Sequence, residues 1–122
     1  MMKLRNSKTE RNIRDGFIKS HESLFNDDDK KRLLNVIREH FPEMKTAYVL
    51  GWTPEQGEDI YSVLINKELV ATIELNRHDL DAKAFVEQIS IQKYKYKLSK
   101  LRCIELLIAV DLAGQDLKVG EE

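Results

Sequence analysis

Between Thr46 and Leu75 lie three extended apolar segments, TAYVLGW, IYSVLI and ELVATIEL, and the connections between them leave room for antiparallel pairing only. A parallel crossover takes a dozen or more residues. The first connection, TPEQGED, has the proline, glycine and carboxylates of a turn, and Asn66-Lys67 make a tighter one. In the third segment Leu69, Ala71, Ile73 and Leu75 point one way, and Val70, Thr72 and Glu74 point the other. That is the period of a strand. A three-stranded antiparallel meander follows.

The flanks read as helices. Thr9 is placed to cap a first helix in which Ile13, Phe17, His21 and Leu24 recur at helical spacing. Gly16 inside it costs about 1 kcal/mol relative to alanine. Asn26 and the acidic run Asp27–Asp29 suit the electropositive start of a second helix. Leu33, Leu34, Ile37 and Phe41 form its apolar stripe, His40 sits in its last turn, and Pro42 stops it. After the strands, RHDLDAKAF reads as a loop or short helix. Ser90 can start one helix and Ser99 cap another, with Leu101, Ile104, Ile108 and Leu112 on one face and a stop at Gly114. The alternation of Ile104, Leu106, Ile108, Val110 and Leu112 also fits a buried strand. The fold class expected is α+β: N-terminal helices, an antiparallel three- to four-stranded meander, and a C-terminal helix. Residues 1–8 and 115–122 are expected to fray.

Bulk properties exclude several classes. At 122 residues the chain is expected to form a single domain. A net charge of −1 argues against a dedicated sequence-neutral DNA binder. Cys103 is the one cysteine, so neither an intramolecular disulfide nor a thiolate-based zinc site can form. The basic N-terminus has no apolar run of the signal-peptide kind, and CIELLIAVDLA is too short to span a bilayer. Cytoplasmic residence and no membrane partner are expected.

Catalytic patterns are sparse. There is no glycine-rich phosphate loop, G-x-S-x-G elbow or H-E-x-x-H pair, so no cofactor is expected. His21, His40 and His78 are scattered, and His78, Asp79 and Asp81 fall short of the convergent ligands a metal needs. Cys103, in an apolar run, reads as a small core residue. Asp59 and Glu74 on adjacent strands resemble the paired carboxylates of the PD-(D/E)XK nucleases. That resemblance implies Mg²⁺-activated water attacking a phosphodiester. Asn76 stands where that family carries lysine, which weakens the match.

Two surfaces remain. Gln88 to Cys103 carries Lys93, Lys95, Lys97, Lys100 and Arg102 around Tyr94 and Tyr96, with no acidic residue. Lysines interleaved with aromatics can hold nucleic acid. A helix scatters these lysines around its axis, however, so a solvated face is favoured and nucleic acid is disfavoured; both tyrosines are expected to bury their rings and keep their hydroxyls wet. The second surface is the first hairpin, where Trp52 stands beside Glu55, Glu58 and Asp59. Tryptophan supplies anchor area, and carboxylates steer a basic partner.

From Tyr61 to Ala113, YSVLINKELVATIELNR followed by ISIQKYKYKLSKLRCIELLIAVDLA resembles the small bacterial immunity proteins of contact-dependent and polymorphic toxin systems. The resemblance implies a non-enzymatic protein that binds one cognate toxin, commonly a basic nuclease, and occludes its active site. It carries over no binding residue. Trp52, Glu55, Glu58 and Asp59 are candidates from their own chemistry.

Overall fold

A computed structural model of the chain describes Leu4 and residues 7–120; the expectation of fraying at 1–3, 5, 6, 121 and 122 lies outside the described residues. The elements are α1 (Lys8–Asn26), a 3-10 turn (Asp28–Lys30), α2 (Lys31–His40), β1 (Ala47–Glu55), β2 (Glu58–Ile65), β3 (Leu69–Asn76), β4 (Phe85–Ser90), α3 (Ile91–Lys95) and α4 (Lys100–Gly120). The strands form one antiparallel sheet in the order β1-β2-β3-β4. The α+β expectation stands, with the meander at four strands.

Helix starts differ in detail from the sequence reading. Ser7, not Thr9, caps α1, and Glu10 returns the bond to the Ser7 backbone, closing a capping box. Asn26 remains the last residue of α1, its Nδ2 donating to the Glu22 carbonyl, so it does not cap α2. The acidic run does sit at the electropositive end: Asp28 and Asp29 lie in the 3-10 turn that feeds α2. Ser90 and Ser99 start α3 and α4 as expected, accepting from Lys93 N and Arg102 N.

Both sheet faces are covered over part of their length. Tyr61, Val63, Ile65, Ala71, Ile73 and Leu75 cluster with Leu33, Leu34 and Ile37 of α2. Tyr48, Leu64 and Val70 cluster on the opposite face with Ile108, Ala109, Leu112 and Ala113 of α4. α1 joins the two cores, placing Phe17 in the second and Leu24 in the first. Residues 101–113 therefore lie in a helix with one face buried, and the strand alternative for them is discarded.

The stop at Gly114 and the frayed tail are also corrected, because α4 continues through 115–120. A single glycine costs about 1 kcal/mol in a helix. Against that, the next turn is anchored: Asp116 accepts hydrogen bonds from Thr46 Oγ1 (2.8 Å) and from the Tyr48 hydroxyl.

The first hairpin is longer than TPEQGED implied. The ladder continues through Trp52↔Tyr61, Thr53↔Ile60, Pro54↔Asp59 and Glu55↔Glu58, leaving Gln56 and Gly57 as the loop. Aromatic and β-branched cross-strand pairs favour this extension. Pro54 is tolerated because β1 is an edge strand. Gly57 takes the left-handed backbone the turn needs, at φ 81°. The second hairpin turns on Asn66 at φ 51°, whose side-chain oxygen accepts from Lys45 N and Thr46 N.

Candidate recognition surface

The outer end of the first hairpin is shaped by one irregularity. The β1–β2 register shifts between Val49 and Gly51, so Leu50 and Gly51 together oppose Ser62. A bulge of this kind reverses the facing of every residue beyond it. Without it Trp52 would share a face with Leu64. With it, Trp52 faces the Tyr61 side.

On that side Trp52 is 57% exposed, yet it is held. Its Nε1 donates to Asp59 Oδ1 at 3.1 Å, and Arg77 Nη2 reaches the same oxygen at 3.1 Å. Arg77 Nη2 also donates to the carbonyls of Glu55 (3.0 Å) and Glu58 (2.9 Å), and Arg77 N donates to Gly57 O. One guanidinium therefore fastens the hairpin tip and, through Asp59, the indole. Desolvation alone would raise the Asp59 pKa, but the bonds from Trp52 and Arg77 and the Arg77 charge hold it below the ordinary value. Asp59 acts here as the support for Trp52, and its Oδ1 is already engaged twice.

Glu55 and Glu58 point to the opposite face. They oppose each other directly across the hairpin, and like charges so placed repel. Glu58 also pairs with Asn76 beside Glu74, while Phe85 pairs with Glu74 and Glu87 with Thr72, so Glu58, Glu74 and Glu87 share this face. The Glu74 pKa is raised, first by desolvation, then by Glu58 and Glu87. Among the described residues none of these four glutamates is in a salt bridge with lysine or arginine. The four candidate binding residues thus gather at one end of the sheet but split between its faces. Trp52 and Asp59 lie on one face, Glu55 and Glu58 on the other.

The nuclease geometry fails on the same register. Asp59 pairs with Leu75, and Glu74 pairs with Ile60, so the two carboxylates project from opposite faces. Asn76 is engaged elsewhere, its Oδ1 accepting from His78 N and Asp79 N. Among the described residues no group of three or more His, Cys, Asp or Glu could hold a metal. The HDLD segment is an exposed turn, in which Asp81 N donates to Asp79 Oδ1 and Arg32 bonds the Asp79 carbonyl.

The lysine–tyrosine stretch divides. Tyr94 is half-buried against the α4-side core, and burial raises its pKa despite the nearby Ser62 hydroxyl. Tyr96 is 92% exposed, which corrects the expectation that both rings are buried. It lies in the short turn between α3 and α4, where no second layer covers it.

Sequence reasoning missed a second polar cluster, at the opposite end of β1. Besides Thr46, Tyr48 and Asp116, it includes His21, which stacks on Tyr48 at 4.6 Å and whose Nδ1 lies 2.9 Å from Ala47 O. Burial, then Asp116, pushes the Tyr48 pKa well above the ordinary tyrosine range. The signal was present: Asp116 continues the buried stripe Ala109, Leu112 and Ala113 once the helix is carried past Gly114. Arg77 gave no comparable signal, since its role depends on the hairpin register.

No protein-family model, curated protein or solved structure matches the chain. Among the described residues no helix is long and apolar enough to cross a membrane.

Proposed function

We propose that the protein acts by binding, without catalysis of its own: an immunity protein that holds a cognate bacterial toxin in the cytoplasm and occludes its active site. The observation that carries this reading is Trp52, a large aromatic kept in water and fixed there by Asp59 and Arg77. An anchor fixed before contact loses less freedom on binding, which favours affinity. Tryptophan is also enriched among residues that dominate interface energies. Glu55 and Glu58, with Glu74 and Glu87 behind them, lend the same end a negative field that suits a basic partner, such as a nuclease.

The test is growth rescue combined with affinity. Co-expression of the chain with a basic toxin encoded beside it should restore growth and yield a one-to-one complex. Trp52→Ala should weaken that complex by at least about 2 kcal/mol, as expected of an interface anchor. Glu55→Lys with Glu58→Lys should slow association and remove its salt dependence. Unchanged affinity in both variants would reject this surface, and absence of rescue would reject the immunity reading.

A further inference from the structure

The two edges of the sheet are treated differently. β1 is guarded: it carries the bulge at Leu50 and a proline at 54, and His21 of α1 engages its Ala47 carbonyl. Bulges, prolines and covering helices are the usual defences against strand-to-strand association. β4 has none of them. Its sequence, FVEQIS, contains no proline and no lysine, and among the described residues no side chain hydrogen-bonds the backbone of Phe85–Ile89. Phe85 is 55% exposed and Ile89 36% exposed, and both lie on the face that α4 covers farther along the sheet.

A groove of about 470 Å³ opens at the C-terminal end of this strand, lined by Ile89, Tyr94, Tyr96 and Leu98 and flanked by Lys93 and Lys97. Charge changes along the edge, with Lys83 just ahead of β4 as the one basic residue at its otherwise acidic start. The start of β4 lies beside Glu74 and Glu87, and its end leads into Lys93, Lys95 and Lys97.

We propose that two copies of the chain pair β4 to β4 in antiparallel fashion about a two-fold axis, each seating Phe85 in the groove of the other. A two-fold of this kind lays the acidic end of one edge against the basic end of its mate. It also places each Phe85 beside the other copy's groove, so both contacts form twice. The register centred on Gln88 sets each Glu87 opposite Ile89 of the other copy. The register centred on Glu87 would bring the two carboxylates face to face, which is unfavourable. The product is one continuous eight-stranded sheet. This assembly does not depend on the proposed toxin-binding role: it is built on the β4 edge and shares with the recognition surface only Glu74 and Glu87.

Sedimentation equilibrium of the full chain over a concentration series up to about 1 mM tests it. The dimer mass is expected, with association weakening as salt rises. Phe85→Ser and, separately, Ile89→Lys should each weaken the dimer at least tenfold while leaving the circular dichroism spectrum intact, since both side chains are substantially exposed. Val119→Ser, on an exposed side chain near the end of α4, where Asp116 joins the helix to the β1 side of the sheet, should leave the dimer as it is. Amide exchange across residues 85–90 should quicken on dilution. A monomer throughout the series, or a dimer as tight in the Phe85 and Ile89 variants as in the original chain, overturns the proposal.

Discussion

β1 and β2 carry two clusters, one at each end of their ladder, and each is centred on an aspartate that accepts from two side chains. At the inner end Asp116 accepts from Thr46 and Tyr48, residues 70 and 68 positions away, and so ties the C-terminal helix to the sheet. At the outer end Asp59 accepts from Trp52 and Arg77, 7 and 18 positions away, and so shapes one hairpin. The inner cluster sits over a core whose residues are nearly inaccessible. The outer one is largely solvated. A hydrogen bond across a long chain separation in a buried setting holds the fold together, whereas a local and exposed one sets the direction of a side chain. The contrast separates the part that makes the molecule stable from the part available for recognition.

The largest expected effect is in the covered half. Leu64→Ala, at a fully buried position, should lower stability by about 2–5 kcal/mol in urea denaturation. Next is Asp116→Ala, which leaves the Tyr48 and Thr46 hydroxyls without an acceptor and should cost about 1–3 kcal/mol. Amide exchange beyond Gly114 should rise with it, and Asp116→Asn should restore part of the loss. If Asp116→Ala proves neutral, the inner cluster is not the anchor of α4.

At the outer end the same kind of change should register in binding and hardly in folding. Trp52→Ala should lower stability by no more than about 1 kcal/mol, the size of one cross-strand pair. Asp59, with its depressed pKa, adds stability that is present above its unfolded value of 3.8 and is lost as pH falls through the lower folded value. Glu74 runs the other way. Its folded pKa is raised, so the folded state is penalised once the carboxyl ionises. Glu74→Gln should therefore raise the thermal midpoint at pH 7, and that gain should vanish below the unfolded value of 4.5. A constant gain across this pH range would mean that charge is not its source.

What the sequence disclosed follows the same division. Period-two alternation and short connections were enough for the meander, because a one-residue slip would turn Val63, Ala71 and Ile73 away from the α2-side core that buries them. The caps at Ser90 and Ser99 were legible from local chemistry. Gly114 reads as a stop because local propensity carries no trace of the distant bonds that Thr46 and Tyr48 make to Asp116. The outer end was legible in composition and not in geometry. Trp52, Glu55, Glu58 and Asp59 are neighbours in sequence, but the bulge at Leu50 and the strand pleat divide them between two faces. A bulge leaves little mark on alternation, and the bonds of Arg77 depend on register.

The most direct measurement is capture of the partner by three matched chains: the original, Trp52→Ala, and Glu55→Lys with Glu58→Lys, each shown by urea denaturation to be folded. The expected result is one stoichiometric basic partner held by the original chain and lost or sharply weakened in both variants, at unchanged stability. Equal capture by all three, or a loss of capture that tracks a loss of folding, would contradict a hairpin end built for recognition.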